Sequence, residues 1–399
     1  MSPPNLRLIL VIIICVSVAL SFSTTIPKRD KEACLGYHFR MIDTLREGDF
    51  RIGEPPIIFI LLNTLMVLFT PIQAYAIIII VPYILGIITI YLLAKHLSHD
   101  ERVAIFASIQ YGVSILLLML FAYGYSKQLL ALALTPLAIL YFHKSLHTHK
   151  HTEMLLSGII FGIIGLTHEI SFVSLLTFYL VFLGIKIGVC RRLPLLTIRN
   201  LIIIIIPAIM ICGSFYVTEV GAIVHAGGEG SSEYLVFIAF NMCFLIGLIS
   251  FALVGLLNIK YHKHLIYSML LSGLLLMMGW VAYQDRFLIQ LIIPLSIISG
   301  YGFTYLLNHS KDMNTIIGFI LLLDVLLITL SCFQIVPVIH SGFDILILPI
   351  ILISQVFIGW FAVVLKFILG IPFTIMMWVI VVNYLYYKLY KRVKGEEHE

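Results

Sequence analysis

The sequence predicts an all-α fold, a polytopic transmembrane helical bundle of about 12–13 spans. Hydrophobic residues make up 61% of the 399 positions and charged residues 11%, with a mean hydropathy of +1.09. So few charges cannot cover the surface of a soluble domain of this length. Runs such as "LIIIIIPAIMICGSFYV" and "YLVFIAFNMCFLIGLISFALVGLL" approach or exceed the roughly 20 apolar residues that carry a helix across a bilayer. They recur from end to end without the alternating segments of about 10 residues that a membrane barrel needs.

The first run, "LRLILVIIICVSVALSFS", has the apolar centre and small-residue end of a signal peptide. In a chain full of later spans it reads as an uncleaved first helix. A polar loop at 25–54 follows, within a first external loop expected over 25–72 that carries amphipathic and juxtamembrane helices, and further apolar runs lie near 73–94, 103–123, 128–143, 154–168, 170–186, 200–217, 234–257, 264–283, 287–307, 315–338, 343–366 and 371–388. No repeat breaks the series, so 1–399 reads as one membrane domain with no separate soluble domain. Of the six cysteines, Cys15, Cys190, Cys212, Cys243 and Cys332 sit in or beside spans without CxxC spacing, which signals packing rather than zinc or disulfides.

The net charge of +5 is spread over short loops, where it reports orientation and not nucleic-acid binding. One set of loops holds Lys95, Arg102, Lys144, Lys150, Lys186, Arg191, Arg192, Arg199, Lys260, Lys263 and Lys311; the alternating set, after the polar loop, holds only Lys127 and Arg286. The positive-inside rule makes the first set cytoplasmic. The loops at 124–127, 168–169, 218–233, 284–286 and 339–342 then face out. Parity ties the 25–72 loop to the run "PPIIFILLNTLMVLFT" at 55–70. If that run lies flat, the N-terminus is inside and the loop outside; if it crosses, both reverse. Its Pro-Pro start and short length suit an interfacial or re-entrant helix as well as a span. At the other end, Gly370-Ile371-Pro372 breaks the last two runs, one of which must not cross if "KLYKRVKGEEHE" is to stay inside.

Within the polar loop, 31–47 reads as an amphipathic helix. Leu35, Phe39 and Ile42, flanked by Cys34, His38, Met41 and Leu45, form one stripe, opposite Glu32, Arg40, Asp43 and Glu47. Gly48 ends it and "EPP" restarts the chain.

The stretch "GYHFRMIDTLREGDF…EPPIIFILLNTLMVLFT" resembles the first external loop of GT-C-type integral membrane glycosyltransferases, the superfamily that includes oligosaccharyltransferase and protein mannosyltransferases. "FAYGYSKQLLALALTPLAILYF" and "YQDRFLIQLIIPLSIISGYG" are similar to segments of prokaryotic members, so the resemblance is diffuse over 30–300. The chain departs from the pattern at Cys34, where relatives of oligosaccharyltransferase often place an Asp four residues before the His. The resemblance implies an enzyme of the cell (plasma) membrane. It would move a sugar from a polyprenyl-phosphate-linked donor to a glycan, lipid or protein acceptor at the outer face, with the lipid bilayer as its other partner.

Such transfer needs a carboxylate to orient or deprotonate the acceptor, a cation or donor group for the departing phosphate, and a groove for the lipid chain. The outward-facing set supplies suitable pieces. Glu32 and Asp30 are the nearest acids to the Cys34 position and are the expected catalytic carboxylates. His38, Asp49, Glu54, Lys127, His168, Glu169, Asp285 and Arg286 are the expected substrate contacts, Arg286 and Lys127 as phosphate ligands. His168 and Glu169 interrupt an apolar run, where a charge is costly unless it meets water or a partner. No metal ligands are assigned, and a divalent metal is compatible with the reaction without being specified. "HTHKH" at 147–151 has the composition of a metal tract but falls in a cytoplasmic loop and reads as solvated. "HAGGEGSSE" at 225–233 reads as an external lid. The alternative is a transporter or lipid flippase coupled through the intramembrane acid Asp324 and the His168–Glu169 pair, although no matching halves are visible.

Overall fold

The computed structural model describes residues 3–23, 28–46, 55–190, 195–225, 246–278 and 289–309. Among these residues there is no strand. The helices are α1 Pro3–Ser23, α2 Lys28–Arg46, α3 Ile57–Leu65, α4 Pro71–Ser98, α5 Glu101–Gly112, α6 Ile115–Tyr123, α7 Ser126–Thr148, α8 His151–Gly165, α9 Glu169–Cys190, α10 Leu195–His225, α11 Ile246–Asn258, α12 Lys263–Met278 and α13 Ile292–His309. Pro71–Ser98, Ser126–Thr148 and Glu169–Val189 are long and apolar enough to cross a membrane, and α5–α6 makes a fourth span if the bent pair is counted as one. The expected runs beyond 309, Asp324 among them, lie outside the described residues.

Local chemistry explains where these helices begin and bend. Thr70 caps α4 through a reciprocal pair of bonds with Gln73: the Gln73 N–H donates to Thr70 Oγ1, and the Thr70 N–H donates to Gln73 Oε1. The cap supplies partners for backbone groups the helix leaves open. Asp100 caps α5 by accepting from the Arg102 N–H at 2.8 Å.

The run at 103–123 was expected to be one span. It is two helices bent by 49°, with α5 closing at Gly112 and Val113–Ser114 between them. The carbonyl of Gly112 accepts the Tyr83 hydroxyl at 2.6 Å, and the same hydroxyl reaches the Cys15 carbonyl at 3.1 Å. Tyr83 thus ties α4 to the bend and to α1. A side chain at Gly112 would collide with Cys15 Sγ, so α1 crosses where the residue is smallest.

Close approach through small residues recurs. A Cβ on Gly158 of α8 would meet the Ile204 carbonyl of α10 at 2.5 Å. Gly255 of α11 and Gly302 of α13 face the partner helix's carbonyls, those of Ile298 and Phe251. Backbones that touch in this way gain dispersion contact where lipid offers no hydrophobic drive. The main pairings are α11 with α13, α8 with α10, α4 with α7, α5 with α13, α7 with α8, α4 with α5 and α9 with α12.

The expected amphipathic helix is α2. Ile42 and His38 are buried, Phe39 and Met41 pack beside them, and Arg40 and Asp43 are exposed. Ile42 joins Ile58, Phe59 and Leu62 of α3 and Ala74 and Ile78 of α4 in one apolar cluster. Arg46 Nε donates to Asn63 Oδ1 at 3.0 Å and fastens the end of α2 to α3. The nine residues of α3 extend about 14 Å, well short of a hydrocarbon core of about 30 Å. Alone it is too short to span the core. One other boundary moves: α10 runs on to His225, so the loop expected from 218 starts later; of the run expected from 287, residues 289–290 are helical and α13 follows from Ile292.

Candidate functional site

The site is built where α2 meets the starts of α3, α4, α7 and α9. Tyr37 and His38 point from α2 into an aromatic cage. The His38 ring lies 5.5 Å from Tyr37, 5.8 Å from Phe59 and 5.3 Å from Tyr75. His38 is buried, and its Nε2 shares a hydrogen bond of 3.0 Å with Ser126 Oγ, on the first residue of α7.

The α6–α7 link is held from the same side. The Tyr75 hydroxyl donates to the Gly124 carbonyl at 3.1 Å. Gly124 has φ +73 and no room for a Cβ beside that hydroxyl, so only glycine fits. This turn sets the direction of Lys127, whose ammonium lies 4.5 Å from the centre of the Phe59 ring and 5.6 Å from that of Tyr37. A cation over ring faces is held by their quadrupoles, here at about 0.5–2 kcal/mol.

The α8–α9 turn closes the other side. The Ile57 N–H donates to the Leu166 carbonyl at 3.2 Å, which joins the start of α3 to that turn. His168 is buried in the turn. Its Nδ1 accepts the Ser171 backbone N–H at 3.3 Å and lies 3.0 Å from Ser171 Oγ. That hydroxyl in turn accepts from Gln290 Nε2 at 2.7 Å. Two donors on Nδ1 put the proton of the neutral imidazole on Nε2. Glu169, next in the chain, opens α9.

Tyr37 feels the Glu169 carboxylate. Burial first, and that negative charge second, push the phenol above its ordinary value of 10.0. The Tyr37 hydroxyl is buried without a hydrogen-bond partner among the described residues, an arrangement that folded chains normally avoid. An orphaned hydroxyl, an ammonium and a carboxylate therefore gather at the head of the bundle, and together can receive a phosphate or a sugar hydroxyl.

Below them, Gln290 lines a cleft with Thr135, Ser174, Ser272 and the apolar side chains of Phe178 and Ile293. Ser174 Oγ and Gln290 Oε1 there are buried with no hydrogen-bond partner among the described residues. No group of three metal-ligating side chains occurs at this end among the described residues.

Of the expected site residues, His38, Lys127, His168 and Glu169 come together around α2. Glu32 and Asp30 lie on α2 upstream of His38, where the backbone alone is described. Asp49, Glu54, Asp285 and Arg286 lie outside the described residues. Sequence reasoning missed Tyr37, Phe59, Tyr75, Ser126, Ser171 and Gln290. Tyr37 was visible beside His38 in "GYHF", while the others are ordinary core types that only the fold makes special.

No known family model matches the chain, and no curated protein matches it in sequence. Among solved structures it is similar to ArnT from Cupriavidus metallidurans bound to undecaprenyl phosphate, with a TM-score of 0.56 and 13% identity. The match covers 85% of this chain and 66% of that one, so the chain spans just under two thirds of the length of the protein it matches. At this identity the likeness is one of fold alone: the chain has a polytopic helical fold similar to that of this structure.

Proposed function

We propose that the protein is a membrane glycosyltransferase that takes a sugar from a polyprenyl-phosphate-linked donor and passes it to an acceptor at the outer face of the cell membrane. The observation that carries this reading is the convergence of α2, the α6–α7 link and the α8–α9 turn through the His38–Ser126 bond, the Lys127 cation over Tyr37 and Phe59, and the Ile57–Leu166 bond. Loop charge had assigned the α6–α7 link and the α8–α9 turn to one side of the bilayer, and α2 joins them there if 55–70 lies flat. The fold shared with a structure bound to undecaprenyl phosphate supports the donor class.

In this reading a carboxylate of α2, Glu32 or Asp30, takes the proton of the acceptor hydroxyl. The hydroxyl oxygen forms the new bond to the anomeric carbon while the carbon–oxygen bond to phosphate breaks. The electron pair leaves on the polyprenyl phosphate, whose charge Lys127 and Arg286 balance; Arg286 stands four residues before Gln290 in the sequence. Preorganised cations at the departing group lower the barrier because that charge grows in the transition state. His168, Glu169 and the Tyr37 hydroxyl hold the sugar or acceptor, Asp49, Glu54 and Asp285 complete the polar rim, and the cleft below Gln290 takes the first part of the lipid.

The test is transfer from a radiolabelled polyprenyl-phosphate sugar by the purified full-length protein in lipid nanodiscs. Labelled product is expected, falling at least about tenfold in Glu32→Gln or Asp30→Asn and in Arg286→Ala, a barrier increase of about 1.4 kcal/mol or more. Absence of product with a panel of hexose and pentose donors, from protein that stays folded, would overturn the proposal.

A further inference from the structure

At the opposite end of the bundle five histidines meet. His96 comes from the last turn of α4, His143 and His147 from the last turns of α7, His99 from the residue after α4, and His262 from the turn before α12. From Ser126, where α7 receives His38, to His143 the helix climbs about 25 Å, so this cluster and the candidate site occupy the two ends of one span. Lys95, Lys144, Lys260 and Lys263 flank it in sequence.

The packing inside the cluster is close. His143 lies 4.3 Å from His262, 4.7 Å from His147 and 5.1 Å from His96, ring centre to ring centre. His96 stacks on His262 with an interplanar angle of 7°. One ring nitrogen from each of His143, His147 and His262 falls within 4.8 Å of the other two. His262 and His99 hold φ of 53° and 55°, in the left-handed region. A side chain adopts that region at some cost, and in His262 it turns the imidazole toward α7.

We propose that His143, His147 and His262 form a binding site for a divalent transition metal of the zinc class, at the lysine-rich end of the bundle. Four features support it. His143 and His147 are i, i+4 on one helix face, the spacing by which a helix offers two imidazoles to one ion. Their Nε2 atoms are 3.3 Å apart. Two ligands at 2.0–2.1 Å from a tetrahedral zinc are separated by about 3.3 Å, so the pair is already spaced as ligands. A second sphere is present: His143 Nδ1 is 2.9 Å from His96 Nε2. With Nε2 on the metal, the Nδ1–H donates to His96 and fixes the tautomer and ring plane.

The last feature is charge. The ligand set holds imidazoles and no carboxylate, with lysines beside it. That disfavours calcium and magnesium, which want anionic oxygens, and suits zinc, copper, nickel or cobalt. Such a site would clamp the ends of α4 and α7 to the α11–α12 turn, joining His147 and His262, which stand 115 positions apart in sequence. It is independent of the transfer reaction proposed above.

The test uses full-length protein purified without a polyhistidine tag and stripped with chelator. Zinc is titrated in competition with a coloured chelator, and cobalt is followed by the visible bands of a tetrahedral complex. Saturable binding of one equivalent per chain is expected, with a rise in melting temperature for zinc and none for magnesium. His147→Asn and His262→Asn, at exposed and half-buried positions, should each weaken binding at least about tenfold, and His96→Gln about tenfold through the second sphere. The pair His149→Ala and His151→Ala, exposed and outside the cluster, should leave binding unchanged. Wild type that binds no zinc in the micromolar range, or binding that survives His147→Asn with His262→Asn, or that is lost with His149 and His151, would overturn the site.

Discussion

His38 and Ser126, 88 residues apart in sequence, share a buried hydrogen bond of 3.0 Å that joins the amphipathic α2 to the first residue of α7. The bond places a loop helix directly on the head of a long apolar helix. Ser126→Ala is expected to lower stability by about 1 kcal/mol, the net worth of one buried bond. His38→Ala is expected to cost about 2–3 kcal/mol, because a ring leaves a packed aromatic cage. The double variant should lose less than the sum, with a coupling of at least about 0.5 kcal/mol. Thermal unfolding of the four proteins in one detergent checks the cycle; strict additivity would mean that the two side chains do not interact.

Tyr37 should separate folding from function. Its hydroxyl has no hydrogen-bond partner among the described residues, so Tyr37→Phe breaks no bond and should leave stability within about 0.5 kcal/mol of wild type or raise it. Sugar transfer should fall about tenfold if the hydroxyl serves substrate. The pH dependence has a definite sign. The folded phenol titrates above 10.0 through burial and then the Glu169 charge. Its share of stability is therefore intact below the ordinary tyrosine range and lost as pH rises through the folded value. Unfolding measured from pH 9 to about 11 should decline less steeply in Tyr37→Phe than in wild type.

Glycine contacts between helices predict unequal costs. A Cβ at Gly302 would run into the Phe251 carbonyl and lie 2.8 Å from the Gly255 nitrogen, all backbone atoms that cannot rotate away. Gly302→Ala should destabilise by about 1–3 kcal/mol. At Gly184, with nothing within 4 Å, Ala should be neutral or stabilising by up to about 1 kcal/mol through helix propensity. Melting temperatures of the two variants check this; equal shifts would contradict the α11–α13 packing.

The two ends of α7 should lie on opposite sides of the membrane. Single cysteines replacing Arg40, exposed on α2, and His147, exposed at the end of α7, should react with an impermeant thiol reagent from opposite faces of sealed vesicles. Cys15 and Cys212 are buried and should react slowly in both. Labelling of both positions from one face would contradict the assignment of α7 as a span.

The sequence carried the architecture where one property repeats. Apolar runs gave α4, α7 and α9, and the stripe of Phe39 and Ile42 against Arg40 and Asp43 gave α2 as a surface helix. Loop charge also grouped Lys127, His168 and Glu169 on one face, with His38 beside them if 55–70 lies flat. The bend at Val113–Ser114 was hidden, because Gly112 interrupts no apolar run and its meaning lies in Cys15 and Tyr83. Whether 55–70 lies flat was undecidable from composition; the turn that ends α3 after Leu65 leaves a helix of nine residues, short for a span. The histidine cluster was half visible. His143 and His147 carry the i, i+4 signal, but the composition of 147–151 reads as a solvated tract, and His149 and His151 are exposed. Ending the apolar run at 143 also hid His143 as a ligand. His96 and His262 join only through helix packing, which no local pattern records.

Equilibrium binding of a polyprenyl phosphate to the nanodisc-embedded protein tests the central claim most directly. Wild type should bind it saturably, Lys127→Met should weaken binding about tenfold or more by removing a cation at the phosphate, and His147→Asn, at the other end of α7, should bind as wild type does. Binding that is absent, or that Lys127→Met leaves unchanged while His147→Asn abolishes it, would contradict a lipid-phosphate site at the head of α7.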